Sequence, residues 1–294
     1  LYIDASGFHS LLSGGAQQID WIDWSDRLLC NRAIAVPVET ASPLPPYTTA
    51  TALPAGWAWR VPLTHRTGCG YVFSSNHVDD TQALDQLGRL VAPESWRGPP
   101  RFLDMPVGRR RTFWNSNCVA IGLASGFIEP LESTGIFLVQ AAMRMLLRYF
   151  PDRSMNPALI ERYNQRMIET YEDIRDFIVL HYILSGREEP FWQDARQVDP
   201  GPALQELIAF YDATGMVERN FAGLFSGVSA QYLMAGNGRL PAHPPAQACR
   251  LSLDRLSGIL SEIEQRNQAL VQDHEVHGSA LARFTASRAT AATR

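Results

Sequence analysis

The sequence predicts an α/β protein of the α+β kind, with a mixed sheet in its first 150 residues and a mainly helical region after them. Three observations predict it. Short runs rich in Val, Ile, Ala and aromatic residues, each closed by Gly, Pro or Ser, recur through the first half, as in LYIDAS at 1–6, AIAVPV at 33–38 and GYVFSSN at 70–76. After Pro157 the apolar residues change to a spacing of three and four. The chain of 294 residues, 46% of them hydrophobic, suffices for one large core or two modest ones.

In chain order, residues 1–12 read as a short strand, a turn at Gly7 and the segment FHSLL. The loop WIDWSDRLLCNR leads to the strand at 33–38, and residues 40–56, rich in Pro, Thr and Ala, read as a connecting excursion. GWAWRVPL and GYVFSSN, separated by THRTGC, form an antiparallel hairpin. Leu84, Leu87 and Val91 give 79–92 a helical period. Residues 118–121 read as a buried strand that runs into GLASGFIEPLESTG and then a helix over 136–150. Gln140, Arg144 and Arg148 are four apart and so form one stripe, which leaves the rest of that helix to be buried.

Ile160, Tyr163, Met167, Tyr171, Ile174 and Ile178 predict a long helix, and Leu256, Ile259, Leu260, Ile263 and Leu270 a later one. Residues 281–294 are small, polar and aperiodic and are expected to be disordered. The expected division is therefore a sheet-bearing part at 1–150, a helical part at 151–280 and a tail at 281–294.

Composition excludes some functions. A net charge of -4 and a pI near 6.0 give no bulk attraction to nucleic acid or to an anionic membrane. No apolar run approaches the roughly 18 residues of a membrane span. Cys30, Cys69, Cys118 and Cys249 are scattered singly, which suits a reducing cytoplasm. All 26 basic residues are Arg, so no lysine-dependent step is completed by these residues alone.

The turn before the 136–150 helix carries the clearest chemistry. Unpaired N–H groups at a helix start bind anions, and Gly135 lets the backbone approach one closely. The simpler reading makes Ser133 or Thr134 an N-cap. Glu132, beside Leu131 and an apolar helix, is placed to be desolvated for proton transfer or to orient a second group. Glu129 is its rival, with a solvent-facing or turn-anchoring role as the plainer alternative. Trp57 and Trp59 are two apart on a strand and so share a face, an apolar wall or ordinary core. His274 and His277 lack a third ligand, so no metal site is expected. His181 reads as a packed histidine with one hydrogen bond, and Arg109, Arg110 and Arg111 as a solvated turn.

Together these segments resemble a family. WAWRVP at 57–62 resembles the WxWxIP signature of flavin-dependent halogenases of the tryptophan-halogenase type, with Val61 in place of Ile. SGFIEPLESTGI at 125–136 is similar, nearly letter for letter, to the segment that carries that family's halide site and catalytic glutamate. LYIDASGF resembles the turn after its flavin domain, and RDFIVLHY at 175–182 with Phe191 and Trp192 its helical C-terminal region. The resemblance covers about residues 1–240.

It implies reduced FAD delivered by a separate flavin reductase, O2, and chloride or bromide, acting on a small electron-rich aromatic substrate such as tryptophan or another indole. Glu132 matches the catalytic glutamate and Ser133 its neighbour. Thr134 and Gly135 match the halide-binding pair, Leu123 and Ile136 fall along the flavin ring, and Trp57 and Trp59 match the wall between flavin and substrate. Opening that wall with Trp57→Ala is expected to disturb coupling more than folding. Leu224 and Phe225 stand where tryptophan-specific members carry aromatic pairs, so they are substrate candidates and free tryptophan is not the expected substrate. A homodimer is compatible with the resemblance.

The family's GxGxxG loop and lysine have no counterpart in this sequence, since Gly68-Cys69-Gly70 continues as Tyr-Val-Phe. The sequence, which opens on Leu1, is therefore expected to be an N-terminally truncated part of such an enzyme. Its sheet region would be an incomplete FAD-dependent monooxygenase-like domain, inactive and weak in FAD binding in isolation. A flavin-dependent aromatic hydroxylase and a non-catalytic fragment are the competing readings.

Overall fold

Apolar side chains alternating with a period of two build a five-stranded antiparallel sheet, in the order Thr49–Leu53, Gly56–Pro62, Thr67–Phe73, Arg32–Val38 and Arg101–Asp104. The structure, a computed structural model, describes residues 1–40, 42–243, 245 and 248–291, and the side chains of all of these except 248 and 286–291. One sheet face carries Ile34, Val36, Tyr71 and Phe73 and is covered by the Asp80–Leu90 helix through Ala83 and Leu87. Asp79 starts that helix with a reciprocal cap, its side chain accepting from the Gln82 N–H while the Gln82 side chain accepts from the Asp79 N–H. The other face carries Ala33, Trp57 and Val72 into the main core.

The expected hairpin forms, in register from Gly56 opposite Phe73 to Pro62 opposite Thr67. The excursion expected over 40–56 does not stay irregular. Thr49–Leu53 is an edge strand, and Leu53 opposite Gly56 leaves Pro54 and Ala55 as a two-residue loop. Alternating Thr and Ala suit a strand that the Pro and Thr content concealed. Residue 41 of that excursion lies outside the described residues.

Two three-stranded sheets place the functional turn. In one, Tyr2–Asp4 runs parallel to Cys118–Ala120, which pairs with Trp114–Asn115; in the other, Gly108–Arg110 lies between Gly126–Phe127 and Trp21–Asp23. Asp4 is buried at the end of the first, its carboxylate accepting from the N–H groups of Ser6, Leu12 and Ser13. Burial raises its pKa, but the hydrogen bonds from Ser13 and Ser6 outweigh this and leave it below the ordinary value. Arg109 and Arg110 are not in a solvated turn. Arg109 is buried on a strand and pairs with Glu172 at 2.7 Å, and Arg110 donates to the Ile19 carbonyl, because acceptors wait on the packed helix and loop.

The Pro157–Ile183 helix opens with Asn156 as side-chain cap and Pro157 in the first turn. Tyr163, Met167, Tyr171, Ile174 and Ile178 are buried as their spacing predicts, and the main core runs from Trp24 on the sheet side to Met234 on the helical side. The sheet and helical parts thus share one core. The Gly135–Arg148 helix differs from expectation. Leu138, Ala141, Ala142 and Leu146 are buried, but Ile136, Val139, Met143 and Leu147 form an exposed apolar stripe, because no described element packs on that side.

The Leu253–Asp273 helix forms as predicted, with its apolar stripe exposed. Residues 277–291, expected to be irregular beyond 281, form a helix, which the repeated Ala of this segment favours; 292–294 lie outside the described residues. Among the described residues no helix is long and apolar enough to cross a membrane.

Candidate functional site

The connection from the Gly126–Phe127 strand to the Gly135–Arg148 helix cannot be regular. Glu132 and Ser133 both sit in the left-handed region, at φ 65° and 55°. Non-glycine residues there cost about 1–3 kcal/mol each and persist only where the surroundings enforce them. The Ser133 N–H donates to the Pro130 carbonyl at 2.9 Å and closes the turn.

Thr134 returns to helical geometry and is buried, yet its side chain caps nothing, and its Oγ1 has no hydrogen-bond partner among the described residues. The N-cap reading of Ser133 or Thr134 is therefore not what the structure shows. The N–H groups of Gly135, Ile136 and Phe137, in the first turn, have no intrahelical acceptor, and the helix dipole adds positive potential. A Cβ built on Gly135 would meet nothing within 4 Å, so the space beside the Gly135 Cα is open. A buried orphan hydroxyl, free N–H groups and open space suit a halide ion.

Leu123 and Ile136 line a cavity of about 270 Å³ beside this turn, with Gly122, Val139 and Tyr171. Ile136 is 76% exposed. A large, outward-facing aliphatic ledge next to an anion pocket suits a planar aromatic ring such as isoalloxazine.

Glu132 is half-exposed rather than desolvated, because the left-handed turn swings it toward the long helix. Its Oε1 lies 3.0 Å from His181 Nε2, and His181 Nδ1 lies 2.8 Å from the Phe177 carbonyl. A carbonyl only accepts, so Nδ1 carries a proton, and the Nε2 contact then needs a second proton shared with Glu132. The hydrogen bond from His181 holds the Glu132 carboxyl below its ordinary range, against the opposing effect of burial. His181 thus bridges the Phe177 carbonyl and Glu132, two bonds where one was expected.

Glu129 faces neither solvent nor the halide turn. It is fully buried, and its Oε1 accepts from Trp57 Nε1 at 3.1 Å and from the Tyr182 hydroxyl at 2.6 Å. Burial pushes its carboxyl up to about 7, with the bonds from Tyr182 and Trp57 opposing.

Trp57 and Trp59 do share a face, their ring centroids 6.2 Å apart. Gly70 is required beneath them, because a Cβ there would come within 2.1 Å of the Trp59 ring. Trp57, however, is 6% exposed, part of the main core and bonded to Glu129, so it does not face open space. Trp57→Ala should therefore destabilise the fold by about 3–5 kcal/mol, read as a lowered denaturant midpoint. A midpoint within error of the unmutated protein would restore the expectation that coupling suffers more than folding.

Phe225 stacks on Phe177 at 4.1 Å and 13°, and Phe177 packs edge-on against His181. The candidate substrate residue is thus two contacts from the Glu132 pair, while Leu224 stays partly exposed beside it. Ser133 is exposed at the turn. His274 is exposed and contacts only its own helix, at the Leu270 carbonyl. Among the described residues no cluster of three His, Cys, Asp or Glu could hold a metal. Sequence reasoning did not pair Glu129 with Trp57 and Tyr182 or Glu132 with His181, since no local spacing links residues so far apart.

The site thus consists of a helix start with a buried orphan hydroxyl after a strained ESTG turn, an aliphatic ledge and a paired tryptophan strand. Residues 1–250 match the sequence model of the tryptophan halogenase family, and the chain belongs to that family. It is 33% identical over 291 residues to tryptophan 7-halogenase RebH of Lentzea aerocolonigenes, which covers 91% of this chain and 55% of that protein. Over 256 residues it is 35% identical to tryptophan 6-halogenase SttH of Streptomyces toxytricini, covering 84% of this chain and 49% of that one. Among solved structures it is similar to BrvH, a flavin-dependent halogenase from Brevundimonas sp. BAL3, with a TM-score of 0.91 and 36% identity over 96% of this chain and 58% of that chain. It is also similar to Xcc4156, a flavin-dependent halogenase from Xanthomonas campestris, with a TM-score of 0.92 and 35% identity over 97% and 57%. The chain spans about half the length of the curated relatives it matches.

Proposed function

We propose that the protein is a flavin-dependent halogenase that uses reduced FAD, O2 and chloride or bromide to halogenate an electron-rich aromatic substrate such as tryptophan or another indole. The observation that carries this reading is the buried Thr134 hydroxyl, without a partner among the described residues, at a helix start with open space beside Gly135. The names of the relatives support it, each being a halogenase of tryptophan or a flavin-dependent halogenase.

Bound reduced flavin with O2 supplies the oxidising equivalents that make halide electrophilic. Thr134 and Gly135 hold the halide by N–H donors and the Thr134 hydroxyl, at the positive end of a helix dipole. Leu123 and Ile136 form the apolar ledge for the flavin ring, and Ser133 keeps the turn in its left-handed bend. Glu132, ionised against His181, orients the halogenating group and accepts the proton that the substrate ring loses. The strand of Trp57 and Trp59, anchored in the core through Trp57 and partly exposed at Trp59, marks the boundary between the two compartments, and the Phe177 and Phe225 stack, with Leu224, forms a substrate-side wall. The chain contains no lysine, so any lysine that takes part comes from outside these 294 residues.

A separate flavin reductase is the transient partner, and the buried thiols of Cys30, Cys69 and Cys118 suit a cytoplasmic setting. Incubating the protein with its flavin-binding portion, reduced flavin, bromide and a panel of indoles should give products with the two-line bromine isotope pattern. Substrates returned unbrominated across the panel, with reduced flavin consumed, would reject the reading.

A further inference from the structure

We propose that Glu129 is a positioning residue whose single buried carboxyl group ties the Trp57 strand to both the halide turn and the Pro157–Ile183 helix, and so sets where the tryptophan wall stands relative to the turn. Glu129 and Glu132 flank Pro130 and Leu131, and each reaches one of two successive residues of the helix. Glu129 accepts from Tyr182 at 2.6 Å, and Glu132 pairs with His181 at 3.0 Å. The turn is therefore pinned to the helix twice, which accounts for two consecutive left-handed residues, the second pin Glu132 itself and Ser133 between it and the halide pair. The first pin is shared, since the same Glu129 oxygen accepts from Trp57 Nε1 at 3.1 Å.

Tyr182 is itself held. Its ring packs against Phe191 and Trp192 at 5.9 and 5.7 Å, and its hydroxyl lies 3.5 Å from Cys30 Sγ. The second Glu129 oxygen is buried and has no partner among the described residues. The titratable groups that act on Glu129 are Cys30, Tyr182 and His181, and burial pushes the Cys30 thiol and the Tyr182 phenol up, so both stay neutral. A carboxylate with one orphan oxygen in this buried site is costly, and burial outweighs the opposing effects of Tyr182, Trp57 and His181, whereas a neutral acid keeps both accepted bonds and places its proton on the orphan oxygen. The carboxyl group's rise to about 7 agrees with this. Glu129 thus acts through Trp57 and the turn and does not itself touch substrate.

The structural part of this inference stands on the hydrogen bonds alone, and only its functional arm rests on the halogenase reading. The test follows the Trp57 indole N–H by nitrogen–proton correlation in the full protein with labelled tryptophan, the peak being assigned by its loss in Trp57→Phe. Glu129→Leu should move that peak and speed its hydrogen exchange by about tenfold or more, while Glu129→Gln, which still accepts through its amide oxygen, leaves exchange slow. In the unmutated protein the peak should shift with pH around a midpoint of about 7, and in Glu129→Gln it should not.

A Trp57 peak with unchanged position and exchange in Glu129→Leu overturns the proposal. Where Glu129→Leu does not fold, the titration decides: a peak that titrates identically in the unmutated protein and in Glu129→Gln rejects it. In turnover, Glu129→Leu should lower halogenated product per O2 consumed by about tenfold, with Glu129→Gln near the unmutated value. No halogenation by the unmutated protein would sink the halogenase reading and leave the indole result to stand by itself.

Discussion

Glu132→Gln should lower halogenation by about a hundredfold or more while reduced flavin continues to consume O2. His181 Nδ1 lies against the Phe177 carbonyl, so its Nε2 faces Glu132, and the hydrogen bond between them orients the Glu132 carboxyl and holds it below its ordinary range. Gln keeps the shape but loses the charge, and with it the capacity to accept a proton from the substrate ring. On the proposed reading flavin oxidation comes before the step assigned to Glu132, so oxygen uptake should stay near the unmutated rate. An oxygen electrode and product chromatography on the same reaction decide it: uptake and halogenation falling together contradict the role.

Folding stability should fall as pH rises from about 4.5 to about 7, by up to about 3 kcal/mol through Glu129. The sign follows from proton counts. Burial raises the folded pKa above the unfolded value of 4.5, so between the two the folded state binds the proton and the unfolded state does not. Stability is full below the unfolded value, declines through the window and levels off above about 7. Asp4 and Glu132 have lowered values, so the stability they contribute is present above 3.8 and 4.5 and is lost only in stronger acid. Denaturant unfolding at pH 5 and pH 8 should therefore show a larger loss in the unmutated protein than in Glu129→Gln, and that comparison cancels the histidines common to both. Equal losses in the two proteins would mean that Glu129 is ionised in the fold.

Much of this fold is legible in the sequence because the chain obeys local periods. The Gly56–Pro62 and Thr67–Phe73 hairpin and the burial of Tyr163 through Ile178 follow from spacing alone. The Thr49–Leu53 strand was hidden by a Pro-rich and Thr-rich composition, and only pairing with Gly56–Pro62 makes it a strand. Exposure of Ile136, Val139, Met143 and Leu147 was illegible for a different reason, since a period reveals which residues share a face and not whether anything packs on it.

The turn at 130–135 was located from its residues, but its workings lie in long-range contacts. Glu129 bonds across 72 and 53 residues and Glu132 across 49, so neither the buried acid nor the ion pair has a local signature. The same holds for Arg109, which a charge run marks as solvated and which Glu172 brings inside.

The measurement that tests the halogenase reading most directly is turnover with and without halide. In the protein with its flavin-binding portion, chloride or bromide should be obligatory for product. On the halogenase reading, leaving both out should give peroxide from uncoupled flavin oxidation and no oxygenated substrate, because that reading lets only a small oxidant reach the substrate. Hydroxylated substrate formed at an undiminished rate without halide would contradict the halogenase reading and identify a flavin-dependent hydroxylase instead.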